Sequence, residues 1–308
     1  MYKRQLQKRF VQRLGLLSGK PSDSTLHHHP ILNKTSEGGK FDPHLSQISS
    51  GDVKSQFAWQ KQAGKPKRND AARWHTDVHY ETKPPDYSCL RMTQLPQNGG
   101  DTLWASGYDL YDHFSKPCQK FFEGLTVTCV SDGYVAAAKA DPERITLFDG
   151  PRGAPDNVGA HLSAVYPVVR TNPVTGWKSI YAVGPFPKHI NELSMPESDR
   201  LLKEFYDTIS QHPELQVRHK WRNENDVGTC YSIPLLFGRE RDAALTRTPR
   251  LAIWDNRSAF HIGLLDYKGQ GERFGYRVVS IGEKPYLDPS SESRAESLGL
   301  DSDGWRLD

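Results

Sequence analysis

Residues Trp74-His75-Thr76-Asp77 place a histidine and an aspartate two positions apart. In an extended segment, residues i and i+2 project from the same face, so an imidazole nitrogen and a carboxylate oxygen can converge on one ion. The spacing alone is weak, because a surface histidine hydrogen-bonded by a nearby aspartate gives the same triplet. The pair becomes a metal-site hypothesis only when a third ligand joins it.

A third candidate ligand, His261, follows an apolar strand that the sequence predicts over Leu251–Asp255. Two imidazoles and one carboxylate on one face of an octahedron leave three positions open, which is the arrangement of non-haem Fe(II) oxygenases. A structural zinc site closed by four protein ligands leaves none. We therefore interpret His75, Asp77 and His261 as an Fe(II) site with room for a 2-oxo acid and oxygen. A zinc hydrolase is disfavoured, because no HExxH motif supplies a general-base glutamate.

Two arginines and a threonine could hold an anionic co-substrate near this site. Arg273 and Arg277 follow His261, and an arginine inside a barrel presents a planar fork that binds a carboxylate through two hydrogen bonds. Thr102, just after the Gly99-Gly100-Asp101 turn, could add a hydroxyl to the same carboxylate. Without the metal-site hypothesis, the arginines would be interpreted as surface residues and Thr102 as an ordinary strand threonine.

Several segments together resemble the taurine dioxygenase family, and most closely the fungal sulfonate dioxygenases. The segments are Trp74-His75-Thr76-Asp77, Gly99-Gly100-Asp101-Thr102-Leu103-Trp104, Val168-Val169-Arg170-Thr171 and Trp254-Asp255-Asn256-Arg257 with His261. The resemblance runs from about Leu14 to about Arg294 and implies a double-stranded β-helix, or jelly roll. It implies an enzyme with Fe(II) as cofactor and 2-oxoglutarate as co-substrate. The implied ligands are, for iron, His75, Asp77 and His261, and for the far carboxylate of 2-oxoglutarate, Thr102 and Arg277 with Arg273 beside them.

The resemblance also implies a substrate and its contacts. A small, taurine-like organic sulfonate would be hydroxylated next to sulfur, releasing sulfite and an aldehyde, while 2-oxoglutarate becomes succinate and carbon dioxide. His29 falls in the register of the family's sulfonate-contacting histidine, and Phe186 matches an aromatic wall of the substrate pocket. Val78 would offer backbone contacts, and Arg277 would also face the substrate.

Two positions depart from the taurine enzyme's pattern. Ala71 stands where that enzyme has an asparagine, and Leu32 where it has a tyrosine. These departures argue against taurine itself as the substrate, and two alternatives stay open. One is the same chemistry on a non-sulfonated carboxylate or a secondary metabolite. The other is a catalytically impaired, truncated homologue.

Many short strand-like segments with few helices predict a mainly β fold with helical decoration. The predicted strands are Tyr87–Gln94, Thr102–Ala105, Leu125–Val130, Val165–Thr171, Lys178–Val183, Gln216–Trp221, Leu251–Asp255 and Tyr276–Ile281. A turn at residues 172–176 predicts that the fourth and fifth of these form a hairpin. Ser194 and Glu197 have capping-box spacing and predict a helix that begins there.

The basic segment Met1–Lys20 predicts an amphipathic helix that ends near Gly15, with Leu6, Phe10 and Leu14 facing a core. A mitochondrial presequence is the alternative that its composition leaves open. The resemblance further predicts that early strands of the family's sheet precede this segment.

We expect a single catalytic domain over residues 1–308, with residues 295–308 as a tail. Residues 228–251 interrupt a stretch that is nearly continuous in the family, and loops of this length are uncommon in compact domains. A retained intron and a genuine lid are the two explanations, and sequencing the transcript across Cys230 and Phe237 separates them.

Composition excludes several classes of function. The 308 residues carry 40 basic and 37 acidic side chains, and no basic stripe beyond the first twenty residues indicates a nucleic-acid partner. No apolar run approaches the roughly 20 residues of a membrane helix. The cysteines Cys89, Cys118, Cys129 and Cys230 lack CxxC spacing and indicate reduced thiols in a cytoplasmic protein. The expected partners are a small-molecule substrate, 2-oxoglutarate and oxygen, and a homo-oligomer stays open.

Overall fold

The computed structural model describes residues 2–33, 42–50, 74–140, 142–143, 145–222 and 250–300. Within these residues most regular structure is β-strand, with helices at the periphery. The strands are β1 Ile31–Asn33, β2 Ser46–Ser49, β3 Pro85–Gln94, β4 Thr102–Ser106, β5 Thr126–Val130, β6 Ile145–Leu147, β7 Ser163–Pro167, β8 Val169–Thr171, β9 Lys178–Ile180, β10 Pro187–Ile190, β11 Gln216–His219, β12 Leu251–Asp255, β13 Ala259–Gly263 and β14 Phe274–Ile281. The helices are α1 Tyr2–Leu17, α2 Gly107–Asp112, α3 Lys116–Glu123, α4 Asp132–Ala140, α5 Met195–Gln211 and α6 Arg294–Leu298, with a 3₁₀ turn at Pro213–Leu215.

The strands form small antiparallel sheets. The orders are β12-β3-β14-β2, β11-β4-β13 and β10-β5-β7, together with the pairs β1-β6 and β8-β9. The first two sheets carry three of the residues that the sequence singled out: Thr102 on β4, His261 on β13 and Arg277 on β14. The predicted class, mainly β with helical decoration, is confirmed.

Several predicted elements are confirmed in place. Strands β8 and β9 form the expected hairpin, in which Val169 lies opposite Ile180. Ser194 is the N-cap of α5, and its backbone N–H donates to the Glu197 side chain at 3.0 Å, as the capping-box spacing predicts. The strand predicted over Val165–Thr171 is interrupted at Val168, which donates its backbone N–H to Leu125 O.

The N-terminal helix confirms one prediction and corrects two. It runs to Leu17, past the expected end at Gly15. Its most buried residues are Gln7, Val11 and Gly15, one position beyond the predicted stripe. Gln7 Nε2 determines this rotation, because it donates to the backbone carbonyls of Cys89 and Tyr276 on the underlying sheet. A polar side chain thus lies where the apolar periodicity predicted none.

The largest hydrophobic cluster lies where α5 and the sheet β10-β5-β7 meet the hairpin. Its centre includes Val127, Tyr166, Ile180, Phe205 and Phe260, all almost fully buried. Helices α2, α3 and α4 were not predicted, and the first two of them contribute Leu110 and Phe122 to this cluster. None of the helices in the described residues has the length and apolar character needed to cross a membrane. Ala71, residues 228–249 and residues 301–308 lie outside the described residues.

Candidate functional site

His75 and His261 face each other across a backbone pair. His75 N donates to His261 O at 3.1 Å, and His261 N donates to His75 O at 2.8 Å. Residues that exchange both bonds are directly opposite one another, so their side chains share a face. The ring centroids are 4.2 Å apart. The sequence placed His261 at the end of an apolar strand, but it lies in the middle of β13, opposite Trp104 of β4.

Asp77 completes a group of three possible metal ligands. His261 Nε2 lies 3.8 Å from Asp77 Oδ1, and one ligand atom from each of His75, Asp77 and His261 lies within 4.8 Å of the others. Asp77 and His261 are buried, and His75 is half-buried. In the part of the chain that the structure describes, this is the one cluster of histidine, cysteine and acidic side chains close enough to share an ion.

The protonation states suit a divalent metal. Burial raises the pKa of the Asp77 carboxyl, but Arg277 and the two histidines outweigh burial and lower the pKa to about 2. Burial also lowers the pKa of His261 to about 3. The site therefore offers a carboxylate and a neutral imidazole near neutral pH, the forms that bind metal. Two histidines and one carboxylate fit Fe(II) with open positions.

The oxygens of Asp77 have different partners. Ser88 Oγ donates to Asp77 Oδ2 at 2.6 Å, and Arg277 Nη1 donates to Asp77 Oδ1. Asn256 Oδ1 accepts from the Asp77 backbone N–H at 3.3 Å. Among the described residues, no atom accepts a hydrogen bond from the buried Arg277 Nε. Arg277 therefore has one donor that the protein leaves available.

Arg273, rather than Arg277, lies beside Thr102. Arg273 Nη2 donates to Thr102 Oγ1 at 3.2 Å, and Arg273 Nε donates to Gly100 O at 2.9 Å. The sequence paired Thr102 with Arg277, but four residues of strand separate the two arginines by about 13 Å. Gly100 has φ of +74°, and a Cβ there would lie 3.1 Å from Arg273 Cδ. The predicted Gly99-Gly100 turn thus makes room for the buried guanidinium.

Tryptophan side chains lie beside Thr102 and beside His261. Trp221 Nε1 donates to Thr102 Oγ1 at 3.0 Å, on the same hydroxyl that Arg273 contacts. The rings of Trp104 and Trp254 lie 5.6 Å apart, and Trp254 lies 4.7 Å from His261. These rings form an apolar wall at the end of the site that holds Thr102 and Arg273.

The other end of the site is aromatic. Val78, directly after Asp77, has φ of 38°, a left-handed conformation that costs of order 1–3 kcal/mol in a β-branched residue. Val78 belongs to one buried cluster with Tyr80, and Phe186 packs against that cluster, its ring 5.1 Å from Tyr80. His29 lies 5.4 Å from the ring of Tyr134, which also borders the cluster. The structure thus brings together the predicted residues Val78, Phe186 and His29.

A buried ion pair lies behind the aromatic end. Arg152 donates to both oxygens of Glu81, Nε at 2.5 Å and Nη2 at 2.9 Å, and all these atoms are almost fully buried. His27 Nε2 lies 3.3 Å from Glu81 Oε1. Glu81 therefore links the turn after Asp77 to the segment that carries His29.

The sequence interpretation missed Ser88, Asn256, Glu81 and Arg152. Ser88 could have been found, because it alternates with Leu90 and Met92 on the buried face of β3. Asn256 lies within a motif that the sequence analysis used only for its likeness to the family. Glu81 and Arg152 lie 71 residues apart, and no local spacing connects them.

The chain is similar to proteins of known family. A family model described as taurine catabolism dioxygenase TauD, TfdA family, matches residues 3–228. The alpha-ketoglutarate-dependent dioxygenase esdpJ of Penicillium shearii is 41% identical over 325 residues, covering 96% of this chain and 79% of that protein. The alpha-ketoglutarate-dependent sulfonate dioxygenase of Saccharomyces cerevisiae is 30% identical over 216 residues, covering 70% of this chain and 43% of that protein.

A solved structure supports the fold. The taurine dioxygenase of Burkholderia xenovorans matches with a TM-score of 0.56 and 24% identity, covering 85% of this chain and 71% of that chain. At this identity the likeness bears on architecture alone. The predicted jelly-roll, cupin-like fold is confirmed.

Proposed function

The chain belongs to the TauD, TfdA family, and we propose that it oxidises a small organic acid, a sulfonate in the first instance, beside His75, Asp77 and His261. It is an alpha-ketoglutarate-dependent dioxygenase, with Fe(II) as cofactor and 2-oxoglutarate as co-substrate. The resemblance to the taurine dioxygenase family is therefore confirmed. The substrate and the roles of individual residues are our proposal.

His75, Asp77 and His261 would hold the iron. The ligand atoms converge within 4.8 Å. Near neutral pH the Asp77 carboxylate is ionised and the His261 imidazole is neutral, and these are the forms that bind a metal. Bound iron, with 2-oxoglutarate and oxygen, supplies the oxidising power for a carbon–hydrogen bond. The protein's part is to orient both small molecules and to keep water away from them.

Thr102 and Arg273 would bind the far carboxylate of 2-oxoglutarate. The observation that carries the proposal is that the buried Arg273 guanidinium lies against the Thr102 hydroxyl. Among the described residues, no carboxylate lies within salt-bridge distance of the buried Arg273 guanidinium, and a buried charge without a partner is costly. Thr102 Oγ1 accepts from both Trp221 and Arg273, so its own proton is free to donate. A carboxylate oxygen satisfies both groups.

Arg277 would bind the acidic group of the substrate, with His29 beside it. Among the described residues Arg277 Nε has no hydrogen-bond partner, and Arg277 lies close enough to His29, Tyr80 and Tyr134 for its charge to act on the pKa of each. Burial lowers the pKa of His29 to about 3, so this histidine is neutral and recognises an anion through a hydrogen bond. Val78 and Phe186 would enclose the carbon chain of the substrate. A sulfonate hydroxylated next to sulfur would then release sulfite and an aldehyde.

The second candidate substrate is a non-sulfonated carboxylate or a secondary metabolite. The more similar relative, at 41% identity, is a dioxygenase whose name carries no sulfonate. The named sulfonate dioxygenase is 30% identical, and only 43% of its length is covered. An arginine binds a carboxylate as well as a sulfonate, so Arg277 suits both candidates.

The experiment is a substrate panel with the purified protein, Fe(II), 2-oxoglutarate and oxygen. Alkyl sulfonates, sulfate esters and carboxylates of matched chain length are compared by succinate formation, with sulfite measured in parallel. Equal succinate and sulfite on an alkyl sulfonate is the expected result. Substrate-dependent succinate with carboxylates alone would establish the second candidate instead.

We also propose a cytoplasmic location. Cys89 and Cys129 are buried as free thiols, and Cys118 is an exposed free thiol. Such thiols persist in a reducing compartment. Fractionation of cells that express the tagged chain tests the proposal.

A further inference from the structure

Asp77 terminates a chain of hydrogen bonds that begins at a tryptophan. Trp254 Nε1 lies 3.0 Å from Asn256 Oδ1, and Asn256 Nδ2 lies 2.9 Å from Ser88 Oγ. Ser88 Oγ lies 2.6 Å from Asp77 Oδ2. Asp77, Ser88 and Asn256 are almost fully buried, so water does not compete for these groups.

The chemistry of the two ends fixes the direction of every bond. An indole N–H only donates, so Asn256 must turn its oxygen toward Trp254 and its amide N–H groups toward Ser88. The Ser88 oxygen then accepts from Asn256, and its single proton is left for Asp77. The ionised Asp77 carboxylate only accepts. Asn256 is held further by Thr76, whose Oγ1 donates to the backbone carbonyl of Asn256 at 2.9 Å and lies 3.3 Å from Asn256 Oδ1.

We propose that Ser88, aligned by Asn256 and Trp254, is a positioning residue that makes Asp77 a ligand through one oxygen. The hydroxyl of Ser88 occupies Oδ2, while Oδ1, which accepts from Arg277 Nη1, is the oxygen that faces His261 Nε2 at 3.8 Å. The inference rests on the proposed role of Asp77 as an iron ligand. It holds whichever substrate the enzyme takes.

The consequence would be an open coordination position. With iron bound, two histidines, one carboxylate oxygen and a 2-oxo acid that binds through two oxygens would leave one octahedral position free. If Asp77 bound through both oxygens, that position would be taken. Groups around metal ligands commonly contribute 10–100-fold to metal affinity or activity, so a single hydroxyl can matter at this level.

The test compares Ser88→Ala with the unaltered enzyme, each loaded anaerobically with Fe(II), 2-oxoglutarate and an active substrate of the panel. X-ray absorption at the iron edge counts the light atoms bound to iron. We expect one additional oxygen neighbour in Ser88→Ala, because Asp77 Oδ2 is released to bind. We also expect at least about a tenfold slower consumption of 2-oxoglutarate when oxygen is admitted.

Three further variants keep the result interpretable. Trp254→Phe keeps a ring near His261 but removes the indole N–H that donates to Asn256. It should therefore also increase the number of oxygen neighbours of iron, by less than Ser88→Ala does. Ser88→Thr retains the hydroxyl and should restore the native count. Ser198→Ala removes another fully buried serine hydroxyl, which accepts from Ile190 N, and should leave the iron unchanged.

Two outcomes would overturn the inference, and they are distinguishable. An unchanged neighbour count in folded Ser88→Ala would show that Ser88 does not restrict Asp77. Unchanged iron affinity in Asp77→Ala would show instead that Asp77 is not a ligand, and the proposed site would fail with it.

Discussion

The proposed metal end and the proposed substrate end of the candidate site are built differently. At the metal end, His75 and His261 are aligned by paired backbone bonds, and the carboxylate of Asp77 accepts from Ser88 and Arg277. At the substrate end, Val78 and Phe186 are held by apolar packing in a turn and a loop. Hydrogen bonds specify direction and distance, whereas packing specifies mainly volume. The metal end can therefore stay fixed while the substrate end changes.

The strongest test of this comparison is the removal of one ligand. We expect Asp77→Ala to lose 2-oxoglutarate turnover down to the level of enzyme without iron, because two histidines alone hold the ion poorly. Succinate formation and iron affinity are the measurements. Asp132→Ala, which removes an exposed carboxylate that pairs with Lys188 at the surface, serves as the control. Unchanged turnover in Asp77→Ala would remove the central assignment.

The second test concerns the ion pair behind the substrate end. We expect Arg152→Met to lower the free energy of unfolding by about 3–5 kcal/mol, because Glu81 would keep a buried charge without a partner. Urea denaturation measures the loss. Lys203→Met is the matched control, since its pair with Asp207 is exposed and contributes about 0–1 kcal/mol. Replacing Glu81 by Gln as well should recover part of the stability, and a double variant no better than Arg152→Met would contradict this account.

The sequence grouped His75, Asp77 and His261 as the structure does, but it paired Thr102 with Arg277 where the structure pairs Thr102 with Arg273, and both results have a physical reason. His75 and Asp77 are two residues apart, so the geometry of an extended segment relates them directly. The sequence identified His261 as a ligand but did not predict strand β13 around it. The strand that pairs with β13 is β4, more than 150 residues earlier in the chain. The sequence placed Arg277 rather than Arg273 beside Thr102 for the same reason, since both arginines contact residues that are distant in the chain. Spacing from His261 gives no information on which arginine lies opposite Thr102.

The third test separates these two arginines. We expect Arg273→Leu to raise the KM for 2-oxoglutarate by about 10–100-fold, since a hydrogen bond to a charged group contributes about 1.5–3 kcal/mol. Arg277→Leu should raise the KM of the organic acid more than that of 2-oxoglutarate. Initial rates with each small molecule varied in turn measure both. If Arg277→Leu instead raised the KM for 2-oxoglutarate more than Arg273→Leu did, Arg277 would be the residue that binds the 2-oxoglutarate carboxylate, as the sequence predicted.

The smallest expected effect is at Phe186. Its ring pairs with Tyr80 at 5.1 Å, and such aromatic pairs contribute about 0.5–1.5 kcal/mol beyond burial. We therefore expect Phe186→Leu to raise the KM of the organic acid by about 2–10-fold, with the KM for 2-oxoglutarate unchanged. Phe121→Leu, at a half-exposed phenylalanine of α3, is the control. An equal rise in both constants would mean that packing at Phe186 also positions the metal end, and the two ends would then have to be treated as one unit.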